Sequence, residues 1–252
     1  MTSGVWTEEV RVPSYDVTPR GTASVLAMAD YFQEAAGRHA AELGVSMQDL
    51  LESGQAWVLA DLRLEIERLP QWEERITVET WPSGLDGLFA TREVVVWGEA
   101  GDACCRGTSA WLVIDTERRQ PRRPPARLYD IEPPDRPSPL PSDREDLPVP
   151  ERADGEGLFA VRYHDLDLNR HVNNVRYLEW ALETLSADVL DDHRCVAVAL
   201  QFEAEATLGD RIRARAEVRE TAGGLEVRHE LVQADAGRTL AVAQTRWRPH
   251  DE

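Results

Sequence analysis

Apolar residues recur along this chain at two periods, and the same order of periods occurs twice. Val175, Leu178, Leu182 and Leu185 are spaced by three and four, which puts them on one face of a helix. After them the period drops to two. Val196, Val198, Leu200 and Phe202 line one face of an extended run. Ile212, Ala214, Ala216 and Val218 line another, with Arg211, Arg213 and Arg215 on the alternate positions. Leu225, Val227 and His229 open a third strand after the Gly223-Gly224 turn, and the run from Leu240 to Trp247 is a fourth. The first half repeats the order, with a helix near 23–42 and strands near 57–68, 74–81, 88–97 and 104–115. A helix followed by meandering antiparallel strands buries its apolar stripe by lying against the sheet. The predicted fold class is α+β, with one helix-plus-antiparallel-sheet unit present twice.

Residue matches support the duplication. At an offset of 149, Tyr15-Asp16 aligns with His164-Asp165, Met28 with Tyr177, Tyr31 with Trp180 and Glu34 with Glu183. At an offset of 136, Glu74-Arg75-Ile76 aligns with Asp210-Arg211-Ile212, and Trp111 with Trp247. Several matches at one spacing and in chain order indicate an internal repeat. The change of offset gives the first half about 13 extra residues after its helix. Ten of the fifteen prolines fall between Pro121 and Pro150. Proline fixes φ and removes a ladder donor, so this stretch is expected to hold neither helix nor central strand. The expected division is a first repeat over 1–117, a surface-hugging linker over 118–157 and a second repeat over 158–252.

Composition narrows the function. With 42% hydrophobic and 29% charged residues, the 252-residue chain can bury a core. No apolar run approaches the ~18 residues of a membrane helix, and the first residues lack the basic start and apolar stretch of a secretory signal. Three cysteines, Cys104 and Cys105 adjacent and Cys195 apart, make no disulfide framework, so a cytoplasmic setting with reduced thiols is expected. Acidic residues outnumber basic ones 46 to 28, and every basic one is Arg. A net charge of −18 repels phosphate backbones, which disfavours nucleic-acid binding.

The densest chemistry is the stretch from Tyr163 to Asn174, which includes His164, Asp165, Asp167, Asn169, Arg170, His171 and Asn173 and directly precedes the second helical stripe. Three readings compete. Asp165, Asp167 and Asn169 have the opening spacing of a calcium loop, but Arg170 and Arg176 occupy the positions that need Gly and Glu. Asp and Asn are good helix caps. An active site at a helix N-terminus also fits, because N–H groups and the dipole there favour developing negative charge, while Asn, His and a carboxylate supply donors and a base. The residues alone leave capping and catalysis both open.

The run from Asp165 through Trp180, with Glu183 beyond it, resembles the signature of plant and bacterial fatty acyl-ACP thioesterases. Trp57, then Arg68 to Trp72, then Thr80-Trp81-Pro82, and Thr108 to Asp115 before the Arg/Pro run, are similar marks in the first half. The resemblance covers most of the chain. It implies a tandem hotdog fold and hydrolysis of the thioester between a long- or medium-chain fatty acyl group and acyl carrier protein, ending fatty acid synthesis. It implies Asp167, Asn169 and His171 as catalytic residues, and Glu205, in Leu200-Gln-Phe-Glu-Ala-Glu205, as a fourth. Plant members follow that glutamate with a cysteine. Here Ala206 stands there, so a cysteine–histidine mechanism at that position is chemically excluded.

Strict alternation from Phe202 puts Glu203 and Glu205 on the polar face, so a bulge or a strand end is required to turn Glu205 inward. Asp165 reads as structural, because Asp16 repeats it without the rest of the cluster. Thr18 replaces Asp167 and no Asn-x-His follows, so one half is expected to be catalytic and the other to shape the acyl side. No pocket residue is assigned, and no metal or cofactor is expected. The expected partner is acyl carrier protein, with Arg118, Arg119, Arg122 and Arg123 as docking candidates. A homodimer is among the assemblies allowed. The rival readings are an acyl-CoA thioesterase on the same scaffold and a non-catalytic acyl-binding protein.

Overall fold

The helical stripes and alternating runs form elements close to where their periods place them, except that the second helix ends at Leu182 and leaves Leu185 beyond it. A computed structural model describes residues 4–141 and 144–250. The chain divides into two compact units, residues 1–143 and 144–252. The first contains β1 (Trp6–Arg11), α1 (Val25–Glu42), α2 (Met47–Glu52), β2 (Gln55–Ile66), β3 (Arg75–Asp86), β4 (Phe89–Trp97), β5 (Ala103–Asp115), β6 (Gln120–Arg122) and α3 (Ala126–Tyr129). The second contains β7 (Gly155–Ala160), α4 (Asn174–Leu182), α5 (Ala187–Asp192), β8 (His193–Phe202), β9 (Arg211–Thr221), β10 (Gly224–Gln233) and β11 (Arg238–Pro249).

The repeat is a repeat of topology. In the first unit the antiparallel order is β1-β3-β4-β5-β2, with β6 added on β5. In the second it is β7-β9-β10-β11-β8, the same path with each strand replaced by its counterpart. Each sheet carries one long helix. Met28, Phe32 and Ala35 of α1 are buried, and α1 packs on β1 and β3. Val175, Tyr177, Leu178 and Trp180 of α4 are buried, and α4 packs on β9, β10 and β11. Helix α1 has 18 residues and α4 has 9, so the expectation that the first half's extra residues follow its helix is corrected: most of them lengthen α1 itself.

Some elements escaped the periodicity. Strands β1 and β7 have six residues each, too few to register against the longer runs, and β7 begins inside the expected linker over 118–157. The proline-rich stretch holds one turn of helix. The expectation of no helix there is corrected over Ala126–Tyr129, a proline-free turn that starts after Pro125. Elsewhere the stretch lies against the sheets. Arg136 stacks 4.3 Å over the Trp81 ring and pairs with Glu79 at 3.0 Å in the first unit. In the second unit, Gln201 holds the backbone of Glu145 and Leu147, and Glu217 accepts from Glu151 N and Arg152 Nη1. Among the described residues, no helix is long and apolar enough to cross a membrane.

Beneath α4 lies His229, fully buried, with Nε2 3.0 Å from Thr245 Oγ1. Burial disfavours its charged form and lowers its pKa to about 3. The unfolded chain therefore takes up a proton at His229 that the folded chain refuses. The stability this group contributes is full above pH ~6.5 and falls as pH drops toward 3, at about 1.4 kcal/mol per pH unit. Urea unfolding at pH 7, 6 and 5 checks this. His229→Gln is expected to be less stable at pH 7, yet to lose less stability on acidification. Parallel pH profiles would remove His229 as the cause.

Candidate active site

The polar cluster folds as a tight turn that delivers the chain to the N-terminus of α4. Asp167 N donates to His171 O (2.8 Å), Arg170 N donates to Asp167 O (3.0 Å), and Leu166 bridges Val172. Arg170 takes a left-handed backbone with φ 65°, a conformation that costs a non-glycine residue energy and that the turn requires. The first unit builds the same turn. Thr18 N donates to Thr22 O (2.8 Å), Gly21 N donates to Thr18 O (2.9 Å), and Gly21 has φ 75° at the position of Arg170. Ser24 caps α1 there as Asn173 caps α4 here, each accepting from a backbone N–H of the first turn.

Asp167 tightens its turn by a bond of its own. Its Oδ1 accepts from the backbone N–H of Asn169 (2.8 Å) and of His171 (3.1 Å), while Oδ2 has no hydrogen bond among the described residues. Asp167 is exposed, and Asn169 and His171 are half-buried. The structure joins Asn169 to Asp167 through its backbone, and its side-chain amide makes no hydrogen bond among the described residues. Asp165 takes the structural part. It is buried, accepts from Arg162 N (2.7 Å), and lies near Arg176. Its counterpart Asp16 accepts from the Tyr31 hydroxyl (2.7 Å).

Glu205 arrives at the site because β8 stops. The strand ends at Phe202, and Glu203 N and Ala204 N both donate to Leu240 O, at 2.8 and 3.2 Å. The alternation that aimed Glu205 at the polar face therefore does not extend to it. The following segment runs against the polar turn: Val172 N donates to Ala206 O (3.0 Å), and His171 bridges Thr207. This brings His171 Nε2 to 3.5 Å from Glu205 Oε2, each side chain about one quarter exposed. The first unit again has the scaffold without the chemistry. Ala23 N donates to Pro70 O (2.7 Å), Thr22 bridges Gln71, and Glu67 N and Arg68 N share Cys104 O. At the offsets of the repeat, Thr18, Arg20, Thr22 and Leu69 stand where the second unit has Asp167, Asn169, His171 and Glu205.

Two supporting residues were not legible in the sequence. Tyr177, noted in the sequence only as the match of Met28 in the repeat, is buried and accepts from Ala206 N with its hydroxyl (2.9 Å). Burial pushes that phenol up to about 12, so it stays neutral. Arg238 donates from Nη2 to Glu205 O (3.1 Å). The two hold the peptide group that joins Glu205 to Ala206, Arg238 at its oxygen and Tyr177 at its nitrogen. A helix residue separated from Glu205 by 28 positions, and the first residue of β11, carry no sequence signal linking them to it.

All three cysteines are buried free thiols, and burial raises Cys195 to about 12. None has the solvent-exposed setting of a reactive nucleophile. No cluster of His, Cys, Asp and Glu among the described residues is arranged to hold a metal ion.

The acyl-ACP thioesterase N-terminal domain family matches residues 3–131, and the corresponding C-terminal domain family matches residues 150–249. The chain is 26% identical to the dodecanoyl-[acyl-carrier-protein] hydrolase of Cinnamomum camphora, over 94% of this chain and 66% of that protein. It is 29% identical to oleoyl-acyl carrier protein thioesterase 1 of Arabidopsis thaliana, over 81% of this chain and 61% of that protein. It thus spans a little less than two thirds of the length of these curated relatives. The 12:0-ACP thioesterase of Umbellularia californica superposes with a TM-score of 0.88 at 25% identity, covering 98% of this chain and 95% of the other. The duplicated units are the two hotdog repeats of that fold, and the chain belongs to the acyl-ACP thioesterase family.

Proposed function

We propose that the chain hydrolyses the thioester of long- or medium-chain fatty acyl groups on acyl carrier protein, releasing free fatty acid. One observation carries the reading: within two turns of the same backbone design, only the second has its histidine within 3.5 Å of a carboxylate. Two atoms at that separation can both lie ~2.8 Å from one water oxygen. Glu205 takes a proton from that water, whose oxygen attacks the thioester carbon. The carbonyl oxygen gains charge and is met by donors on the turn, the Asn169 amide and the His171 ring, worth a few kcal/mol each. The carbon–sulfur bond then breaks, and the carrier's thiolate leaves with little need of a proton. Asp167 holds the backbone of Asn169 and His171 through Oδ1 and presents Oδ2 as the site's second carboxylate.

The first repeat does no chemistry in this scheme and shapes the acyl side. The names of the relatives span dodecanoyl and oleoyl chains, so kinship supports the reaction class and leaves chain length to the shape of the acyl pocket. The test is a panel of acyl-ACPs of increasing length, with matched acyl-CoAs. Release of fatty acid from acyl-ACP, with the higher kcat/KM on the carrier-bound substrate, is the expected result. Turnover confined to acyl-CoA would transfer the activity to coenzyme A thioesters. Tight acyl binding without turnover of either would make the chain a binding protein.

A further inference from the structure

We propose that Arg211 and Arg213, on the exposed face of β9, form a docking surface for an acidic carrier protein; this rests on the reading of the chain as an acyl-carrier thioesterase. The alternating arginines of this strand are treated unequally by their neighbours. Arg215 lies opposite Glu156 on β7 and Glu230 on β10, and pairs with Glu230 at 2.7 Å. Arg213 lies opposite Leu158 and Val232. Arg211 lies opposite Ala160, and its carbonyl accepts from Ala234 N. Cross-strand partners are where a sheet compensates charge. Here one arginine of three is compensated by the strands beside it. Neither Arg211 nor Arg213 makes an ion pair or side-chain hydrogen bond among the described residues, in a chain with 46 acidic side chains to offer.

Their surroundings suit a protein partner. Both line an open groove of about 360 Å³, with the exposed Leu158 on its wall; Glu156 and Asp235 are the acidic residues there, and Glu156 lies opposite Arg215. Residues two apart on a strand are ~6.7 Å apart on one face, close to the ~6 Å between Cβ atoms of residues four apart on a helix. An acidic helix laid along β9 can therefore meet both guanidinium groups. The position relative to the site is set by the chain itself. Arg211 directly follows the turn in which Asp210 N donates to Thr207 O (3.1 Å), and Thr207 is the residue bridged to His171. The first repeat has Arg75, Thr77 and Glu79 at the equivalent positions of β3, with Glu9 opposite Thr77, so the paired cations belong to the repeat with the catalytic turn. Long-range repulsion between two acidic proteins makes such a local cationic patch the determinant of encounter.

The experiment is the double variant Arg211→Glu/Arg213→Glu in the full chain. Its KM for acyl-ACP is expected to rise about tenfold or more with kcat unchanged, while kcat/KM for the matched acyl-CoA stays within about twofold. Added salt should lower kcat/KM on acyl-ACP in the wild type and much less in the variant. An unchanged KM for acyl-ACP would overturn the proposal. An equal loss on acyl-CoA would also overturn it, because the arginines would then serve the thioester arm or the fold. Arg211→Gln/Arg213→Gln, which adds no acid to the strand, should move KM in the same direction by less. Binding of labelled holo-carrier protein, followed by fluorescence anisotropy, needs no turnover. Equal affinity of wild type and variant there would overturn the docking surface whether or not the chain is a hydrolase.

Discussion

Replacing Asp167 by Asn is expected to slow acyl-ACP hydrolysis about a hundredfold or more, with the fold intact. The substitution is nearly isosteric. Asparagine's Oδ1 still accepts from Asn169 N and His171 N, at the 2.8 and 3.1 Å separations that aspartate uses, so the turn survives. What disappears is the negative charge and the basicity of Oδ2, the oxygen left without a hydrogen bond in the turn. His171→Ala should cost as much by a different route, since it removes the ring that faces Glu205 and leaves the backbone bonds of residue 171 in place. Rates on a saturating acyl-ACP, with circular dichroism and unfolding midpoints as controls, decide the matter. Near-wild-type turnover in the Asn variant would reduce Asp167 to a turn cap, the bland reading that its two backbone bonds also satisfy.

Glu205→Gln is expected to have an effect of the same size. Gln keeps the length of the side chain and can accept a hydrogen bond from His171, but it takes no proton from water. A structural role for Glu205 predicts a small loss of rate and a change in stability. A role as base predicts a loss of about a hundredfold or more at nearly constant stability. The double variant Glu205→Gln/His171→Ala sharpens the comparison. If the pair acts as a unit on one water, the double variant should be scarcely slower than the worse single variant. Multiplied losses would mean that the two side chains serve separate steps.

The sequence by itself determined the repeat and most of its elements. The change from a period of three and four to a period of two marks helix and strand because side chains recur at those intervals on a buried face, and two such series with the same order gave two units. The polar turn was also legible, since its residues are consecutive, and the loss of its carboxylate, amide and imidazole in the first half showed at Thr18. Strands β1 and β7 were not legible: six residues carry too short a pattern, and their partners β3 and β9 lie far along the chain. Glu205 was legible only through resemblance. Alternation is a local rule that assumes the strand continues, whereas β8 ends at Phe202, where Glu203 N and Ala204 N share the carbonyl of Leu240. That termination, and the hold of Tyr177 and Arg238 on the following backbone, are contacts between segments distant in sequence. The tertiary structure alone decided which carboxylate faces His171, and which two of the alternating arginines Arg211, Arg213 and Arg215 on β9 were left without an acid opposite, because both depend on what pairs across strands rather than on what adjoins along the chain.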